Sequence, residues 1–276
     1  MRNIFIEGIQ GQGKTTLLNR IATAVPDLKV CREGDYSPID LAWCAWLTED
    51  EYFMVLNKYD EIRTELLQNT VQEANHYIIT YTRIITDIPN FHKTMEKYEI
   101  YNGNIPLQDF KNIIIARFNH FSQMGYLFEC SFFQNIIEEL ILFYEWGDDE
   151  IVAFYQELYK KIKEEDFLLL YLDSDILEEN IRLIKRERCD DRGNEVWYLL
   201  MQKYLNNSPY GKRHNYSGFE DMLLHFKHRQ QLERRIITEI IGENAVILQA
   251  KNWTLEDFLD KIHENNELDF RVGSEK

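Results

Sequence analysis

The sequence predicts an α/β fold of three layers, in which a five-stranded parallel sheet is flanked by helices. Five short apolar runs have the length of buried strands, and stretches with helical spacing separate them. Most of these runs are continuously apolar, as is typical of strands covered on both faces of a parallel sheet. The predicted strands are residues 3–7, 28–32, 126–129, 167–172 and 245–249.

The stretch after the first strand is predicted to be a helix with one buried face. Its apolar residues recur at the spacing of a helix, and they are Leu17, Leu18, Ile21 and Val25. Near the other end of the sequence, Thr254 is the predicted N-cap of a final helix. The residues of that helix expected to face the core are Leu255, Phe258, Leu259 and Ile262. Residues 264–276 are a polar tail that we expect to fray.

A long segment between the second and third strands, about residues 39–123, is predicted to be a helical insert. It either caps the substrate side of the sheet or packs as ordinary helical core. Tyr77 and Tyr81 lie at positions i and i+4, so a single helix would carry both of them together with Arg83. That helix would either present a stacking face to an aromatic acceptor or pack in the core with one solvated arginine.

We expect residues 1–263 to form one domain, because no repeat or low-complexity linker interrupts them. The sequence has no apolar run of about 18 residues, so we expect no membrane span. It enters a strand at once, which leaves no room for a signal peptide. The four cysteines lie far apart, and this favours buried thiols in the reducing cytoplasm over disulfides or a zinc site.

The formal net charge is −16, from 31 Lys and Arg against 47 Asp and Glu. A surface this acidic repels the nucleic-acid backbone and anionic membranes, so neither is an expected partner. The net charge still permits a local basic site for a small phosphate compound.

The strongest motif lies at residues 8–16 and fits G-x-x-x-x-G-K-[ST], the P-loop pattern. It follows a predicted strand and begins a predicted helix, so backbone amides and the positive end of the helix would face an anion. We expect a P-loop NTPase fold that binds ATP or GTP with Mg²⁺. Lys14 would reach the β- and γ-phosphates, and Thr15 would supply a hydroxyl ligand to Mg²⁺. The residues expected to hold the nucleotide are Gly8, Gln10, Gly11, Gln12, Gly13, Lys14, Thr15 and Thr16.

Residues 170–188 (LYLDSDILEENIRLIKRER) resemble the strand, helix and lid of thymidylate kinases and deoxynucleoside kinases. Arg182, Arg186, Arg188 and Asp191 match the R-x-x-x-R-x-R-x-x-[DE] lid pattern of the deoxynucleoside kinases. The resemblance covers the sheet, the loop and the lid, but not the insert. It implies a lid of about residues 182–195.

The charges of this segment predict the same lid independently of the family resemblance. Arg182, Lys185 and Arg186 fall on one helical face, and a cationic segment in an acidic protein predicts an anionic partner. Arginines that close over a γ-phosphate would stabilise its charge and exclude water. The alternative is a solvated helix whose cations pair with neighbouring glutamates, namely Glu178, Glu179 and Glu187.

The second predicted strand ends in the letters C-R-E-G at residues 31–34. This segment resembles the R-E-P-G segment of thymidylate kinases and the E-P…W segment of deoxynucleoside kinases, with Gly34 in place of proline and Trp43 as the tryptophan. The resemblance implies that Glu33 is the base that helps to deprotonate an acceptor hydroxyl. The alternative is a surface carboxylate. The aromatic residues that would either line an acceptor pocket or pack in the core are Tyr36, Trp43 and Trp46.

The third predicted strand ends in Glu129, at the place of the acidic residue in the D-R-[YH] or E-R-S motifs of these families. Cys130 stands where the families have arginine. The resemblance implies that Glu129 holds Mg²⁺ or its water shell beside Thr15. A carboxylate that follows buried apolar residues needs a cationic partner, which a magnesium ion would provide.

We therefore expect a kinase, an ATP-dependent phosphotransferase whose acceptor is a small molecule, a nucleoside or nucleotide in the first place. The expected catalytic residues are Lys14, Glu33, Arg182, Arg186 and Arg188. The acceptor can also be a drug or another metabolite. The alternative function is a nucleotide-dependent regulatory switch. The sequence lacks a D-E pair at a Walker B strand and an N-K-x-D guanine motif, and both absences favour the kinase. The oligomeric state stays open, a homodimer included.

Overall fold

A computed structural model describes residues 1–163 and 166–263 of the chain. Its strands are β1 (Asn3–Gly8), β2 (Lys29–Cys31), β3 (Ala45–Thr48), β4 (Thr70–Glu73), β5 (His76–Ile79), β6 (Tyr126–Glu129), β7 (Phe167–Asp173) and β8 (Ala245–Gln249). Its helices are α1 (Lys14–Ala24), α2 (Glu49–Lys58), α3 (Arg63–Gln68), α4 (Phe91–Met95), α5 (Leu107–His120), α6 (Gln134–Leu142), α7 (Asp148–Tyr159), α8 (Leu177–Glu187), α9 (Val196–Asn207), α10 (Pro209–Arg213), α11 (Phe219–Ile236) and α12 (Leu259–His263). Helix α11 continues into a π-helical turn, Ile237–Ile241.

The five runs predicted as strands are strands, and they form one sheet in the order β2-β6-β1-β7-β8. Strand β1 lies at the centre and pairs in parallel with β6 and with β7, while β7 pairs in parallel with β8. The next two strands of this sheet along the chain, β2 and β6, lie on one side of β1, and the last two, β7 and β8, lie on the other side. In open α/β sheets, ligands bind at the carboxyl ends of the strands where the order reverses. Residues 8–16 follow β1 and therefore lie at this position.

Helices cover both faces of the sheet, which explains why β1 is apolar throughout. Ile4 and Ile6 point to the face covered by α1, and the predicted apolar residues of α1 are all buried there: Leu17, Leu18, Ile21 and Val25. Phe5 points to the opposite face, where its ring centroid lies 4.6 Å from that of Phe167. The adjacent Phe132 contacts Tyr155 of α7 at 5.3 Å between centroids. The predicted α/β sheet flanked by helices is confirmed.

The chain divides into two compact units. The second unit is residues 31–121, and the first unit is the remainder of the described chain. The first unit contains the central strand, residues 8–16 and the predicted lid. The second unit contains almost all of the predicted insert.

The prediction that the insert is helical was wrong in part. It contains α2 to α5, but also a three-stranded sheet in the order β3-β5-β4 whose strands are antiparallel. Strands β4 and β5 are joined at Ala74 and Asn75, since Glu73 pairs with His76. Ala74 has a φ of 48°, as a tight hairpin turn requires, yet the pair lacks the Asn-Gly or Asp-Gly signal that makes such turns visible in a sequence.

The prediction that Tyr77, Tyr81 and Arg83 share one helix was wrong for the same reason. Tyr77 lies on β5 and stacks on Tyr52, with ring centroids 4.1 Å apart. Tyr81 and Arg83 belong to a 3₁₀ turn, Tyr81–Arg83. The i, i+4 spacing arose from a strand that is followed directly by a turn.

Thr254 begins the last described segment, as predicted. Its backbone N donates to Asp257 Oδ2 at 2.6 Å in a capping box, although the capped element is a 3₁₀ turn that precedes α12. Phe258 and Ile262 are buried, and Leu255 and Leu259 pack against the same core. The predicted polar tail, residues 264–276, lies outside the described residues. No described helix combines the length and the apolar character needed to cross a membrane.

Candidate functional site

Three glycines shape the loop between β1 and α1, which we call the glycine-rich loop (residues 8–16). Gly8, Gly11 and Gly13 have φ values of 139°, 78° and 95°, a region that other residues rarely adopt. A Cβ on Gly8 would lie 2.5 Å from the carbonyl oxygen of Leu172. A Cβ on Gly11 would lie 2.1 Å from Cδ1 of Ile184. The loop therefore packs directly against β7 and α8, with no room for side chains at these two positions.

Lys14 is the first residue of α1 and is buried. Its Nζ donates to the carbonyl oxygens of Gly8 at 2.7 Å and Ile9 at 3.3 Å. Gly13 is the N-cap of α1, no side chain caps the helix, and its first turn contains no acidic residue. The loop therefore combines an ammonium group with the positive end of a helix, and both attract anions.

The hydroxyl of Thr15 and the carboxylate of Glu129 meet beside the loop. Thr15 Oγ1 donates to Glu129 Oε1 at 2.5 Å, and Glu129 is only 5% exposed. The contact follows from the sheet register, because Glu129 pairs with Ile6 of β1. Cys130, which follows, has a φ of 63° and ends the strand there. The structure thus brings together the two predicted metal ligands.

These two side chains fit a magnesium ion by their chemistry, since Mg²⁺ prefers oxygen ligands and is usually held by one or two carboxylates together with substrate phosphates. Among the described residues there is no group of three or more His, Cys, Asp or Glu that could hold a metal by itself. A magnesium ion at this position would complete its coordination with water and with substrate phosphate oxygens. Thr16, also predicted to hold the nucleotide, follows Thr15 and is exposed.

Sequence reasoning missed Glu7, the residue before Gly8. Its side chain is fully buried, and its carboxylate accepts from the backbone N of Phe132 at 2.6 Å and of Gln134 at 3.1 Å. Burial raises the pKa of Glu7 to about 7, and the charge of Glu233 adds to this rise. The signal was present in the sequence, because a carboxylate ends an otherwise apolar strand directly before the loop.

Sequence reasoning also missed a buried ionic cluster on α11, which we call the α11 cluster. Arg229 forms ion pairs with Glu138 of α6 and with Glu233, although its Nε, 2.9 Å from Glu233 Oε1, is not aligned for a hydrogen bond. Tyr171 Oη donates to Glu233 at 2.8 Å, and His225 Nε2 lies 2.6 Å from Glu138. The spacing of His225, Arg229 and Glu233 at i, i+4 and i+8 was visible in the sequence.

Burial and neighbouring charges shift the pKa values of the two carboxyl groups in this cluster in opposite directions. Burial raises the pKa of Glu233, while the nearby cations Arg229 and Lys14 act against this rise. Burial also opposes the ionisation of Glu138, but His225 and Arg229 outweigh it and lower the pKa of Glu138 to about 2. Glu138 is therefore firmly ionised near neutral pH, whereas the pKa of Glu233 lies above its ordinary value.

Helix α8 is anchored on the glycine-rich loop. Asn180 Nδ2 donates to Gln12 Oε1 at 3.1 Å and to Ser174 Oγ at 2.9 Å, and Ile184 lies over Gly11. Gln12 is buried by these contacts. The helix that carries the predicted lid arginines thus touches the predicted phosphate site through its buried face.

The lid arginines themselves make other contacts. Arg182 Nη2 lies 2.9 Å from Glu178 and 3.4 Å from Glu220, and its guanidinium lies 4.3 Å from the ring centroid of Phe219. Arg188 lies 5.9 Å from the ring centroid of Trp197, and Arg186 is exposed. Within residues 1–163 and 166–263, no hydrogen bond or ion pair joins these three side chains to the loop. The pair with Glu178 is the one that the solvated-helix alternative predicted.

No model of a protein family matches the sequence. A comparison with the curated proteins gives no match either. The resemblance to thymidylate and deoxynucleoside kinases therefore stays a prediction from the motifs, and the site is interpreted from its geometry.

Glu33 belongs to the second unit, where it is exposed and accepts a hydrogen bond of 3.0 Å from Trp43 Nε1. Trp43 has a φ of 65° and is 45% exposed. The other two aromatic residues predicted near an acceptor make separate contacts. Tyr36 donates to Glu73, and Trp46 stacks on His76 at 3.9 Å between centroids. Glu33 and Trp43 are thus in contact, whereas the role of Glu33 as a base stays a prediction.

A cleft of about 510 Å³ lies between α8 and α11 in the first unit. Its lining includes Ser174, Glu178, Arg182, Lys227, Gln230 and Arg234. Ser174 is also bonded to Asn180, which contacts the loop. Ser174 therefore links the lining of the cleft to the loop through Asn180 and Gln12, and the cleft carries carboxylates as well as cations and hydrogen-bonding groups.

Proposed function

We propose that the chain is a P-loop phosphotransferase, a kinase that uses ATP or GTP with Mg²⁺ to phosphorylate a small molecule. A nucleoside or nucleotide is the first acceptor class to test, because the lid and strand-end motifs resemble those of thymidylate and deoxynucleoside kinases. The observation that carries the proposal is the group of Lys14, Thr15 and Glu129 around the loop at the carboxyl end of the central strand.

The loop supports binding of a polyphosphate through its own atoms. On binding, Lys14 exchanges the carbonyl oxygens of Gly8 and Ile9 for phosphate oxygens, and the first-turn amides of α1 donate to the same anion. Thr15 and Glu129 would hold a magnesium ion, which would supply charge neutralisation at the phosphates. The cleft between α8 and α11 provides space for the remainder of the nucleotide.

Transfer is favoured over simple hydrolysis by the position of α8. Asn180 and Ile184 of α8 contact the loop. The arginines of this helix lie within one or two helical turns of these two residues. A rotation of the Arg182 or Arg186 side chains would add positive charge at a γ-phosphate, where charge stabilisation contributes most. Glu33 would then accept the proton of the acceptor hydroxyl.

A second function, a nucleotide-dependent switch, is favoured by one observation. Arg182 is held by Glu178 and Glu220, so α8 and α11 are joined at the surface while α8 rests on the loop. Nucleotide binding at the loop would then alter the contacts of α8. A protein partner that binds this surface would respond to that change.

The cysteines support a reducing compartment for this activity. None of Cys31, Cys44, Cys130 and Cys189 forms a disulfide, and all but Cys189 are buried. We place the reaction in the cytoplasm on this ground. The charge of −16 supports a small-molecule acceptor over nucleic acid or a membrane.

The test is nucleotide consumption with and without a panel of nucleosides, nucleoside monophosphates and common metabolites, with the products identified by mass spectrometry. We expect a matching acceptor to increase consumption sharply and Lys14→Ala to abolish it. Lys29→Ala is the control, because Lys29 is an exposed cation on β2 of the same sheet. A lack of affinity for any purine triphosphate with Mg²⁺ would overturn the proposal. Stimulation by a protein partner alone would favour the switch.

A further inference from the structure

The proposed function leaves the buried carboxyl group of Glu7 without a role. Glu7 occupies the last position of β1 before the loop, and both of its oxygens accept backbone N–H groups at the start of α6. A buried carboxylate is costly unless its environment satisfies it. Two amides satisfy its hydrogen bonds but supply no full positive charge.

Two charged side chains on other elements act on Glu7, and one of them, Lys14, places its Nζ 2.7 Å from the carbonyl oxygen of Gly8, the residue that follows Glu7. Lys14 of α1 acts on it as an attractive charge, and Glu233 of α11 acts as a repulsive one. Glu233 is itself influenced by Lys14, Arg229 and Glu138, and it accepts from Tyr171. Lys14 is therefore the cation shared by Glu7, by Glu233 and by the carbonyl oxygens of the loop.

We propose that Glu7 is a positioning residue whose charge controls how strongly Lys14 and the glycine-rich loop attract a polyphosphate. When Glu7 is ionised, it draws Lys14 inward and repels the arriving anion. When Glu7 has taken up one proton from solvent, both effects vanish and Lys14 is available to the phosphates. This inference rests on the proposed nucleotide site.

Two further observations support it. The pKa of Glu7 is raised to about 7 by burial, so the carboxyl group changes its charge near neutral pH. The contacts of Lys14 with Gly8 and Ile9 show the inward position of its side chain, 2.7 Å from the first of these carbonyl oxygens.

The test is the affinity for the non-hydrolysable analogue AMP-PNP with saturating Mg²⁺, measured calorimetrically between pH 6 and pH 8 for the full-length chain and for Glu7→Gln. We expect the affinity of the unmodified protein to fall by about tenfold as pH rises, the effect of a unit charge roughly 10 Å away at an effective dielectric of about 20. Glu7→Gln should keep the high affinity throughout. The titration of the ligand itself is common to both proteins and cancels in their ratio.

Glu157→Gln is the matched control, because it removes one carboxylate from the exposed surface of α7. It should follow the profile of the unmodified protein. Parallel profiles for Glu7→Gln and the unmodified protein would overturn the inference while the proposed function stands. Absence of AMP-PNP binding in every protein would overturn both.

If Glu7→Gln fails to fold, Glu233→Gln decides the question. It removes the like charge that faces Glu7 and keeps an amide oxygen for Tyr171 to donate to. The midpoint of the pH profile should then move to lower pH. An unmoved midpoint would overturn the inference.

Discussion

Thr15 and Glu129 share a hydrogen bond of 2.5 Å between Oγ1 and Oε1, although 113 residues separate them along the chain (positions 16–128). The hydroxyl belongs to the first turn of α1, and the carboxylate ends β6. The bond therefore ties the glycine-rich loop to the neighbouring strand and places two oxygen donors together at the end of the sheet.

Glu129→Gln tests whether this pair holds magnesium. The amide oxygen can still accept from Thr15, so the fold should keep its stability while the charge at the site is lost. We expect the Mg²⁺ concentration needed for nucleotide binding to rise by about tenfold or more, a change of about 1.4 kcal/mol. A magnesium titration of nucleotide binding measures this, with Glu157→Gln as the control. The same magnesium requirement in Glu129→Gln would exclude Glu129 as a ligand.

Gly11→Ala and Gly13→Ala separate backbone strain from steric overlap in the loop. Both glycines have positive φ, but only at Gly11 would a Cβ overlap Ile184. Strain alone should lower the free energy of unfolding by about 1–2 kcal/mol at Gly13, and the overlap should add about 1 kcal/mol at Gly11. Urea denaturation measures both. In an Ile184→Ala background, which lacks both overlapping atoms, Cδ1 and Cγ1, the two substitutions should cost the same; a persistent difference would contradict the packing described for Gly11.

Glu138 should govern the acid stability of the first unit. Its pKa is lowered to about 2 against burial by His225 and Arg229, so its stabilising effect is complete above about pH 4.5 and is lost as pH falls through 2. Glu138→Gln should lower the free energy of unfolding by on the order of 3 kcal/mol at pH 7. The difference from the unmodified protein should narrow below pH 4.5 in urea denaturation. A difference that does not depend on pH would show that ionisation of Glu138 is not its cause.

Arg186→Ala and Arg182→Ala test the lid on α8. If these side chains move to the γ-phosphate, each substitution should lower kcat by about a hundredfold while nucleotide affinity changes little. Glu178→Gln should leave kcat intact or raise it, because it releases Arg182 from its intrahelical partner. Arg213→Ala is the control, since Arg213 is exposed on α10 and pairs with Glu145. Unchanged kcat in both lid variants would remove the arginines from the mechanism.

Glu33→Gln tests the proposed base. The amide can still accept from Trp43 Nε1, so the local contact is kept while proton acceptance is lost. We expect nucleotide affinity to be unchanged and kcat with the identified acceptor to fall by about a hundredfold or more. Trp43→Phe removes the hydrogen bond alone and should have the smaller effect. Full turnover in Glu33→Gln would leave Glu33 as a surface carboxylate.

The sequence predicted the strands of the parallel sheet and the buried face of α1, because burial on both faces and helical periodicity leave local signals. The resemblance to the kinase motifs also implied that Glu129 lies beside Thr15, and the two side chains are in contact. The hairpin at Ala74 was missed because its turn residues are unusual for such a turn.

The rest depends on contacts between segments that are distant in the chain. The pairing of Arg182 with Glu220 requires α11 to lie beside α8. The position of Glu7 at the end of an apolar strand was visible in the sequence, but its electrostatic environment was not, because Glu233 and the start of α6 come from distant parts of the chain. Local patterns therefore predict the loop and the strands, whereas the charge environment of the loop depends on the tertiary fold.

The order of strands in the parallel sheet has a consequence for biosynthesis. Strand β1 is made first, but its residue Ile4 pairs with Leu127 of β6 and with Leu168 of β7. The three strands of the sheet within residues 31–121 are close together in the sequence. This sheet can therefore form on the ribosome before the parallel sheet does. Nascent chains that stop before β7 contain the whole glycine-rich loop, yet they lack the strand and helix against which Gly8 and Gly11 pack. Such truncated chains should therefore fail to bind nucleotide although every residue of the motif is present.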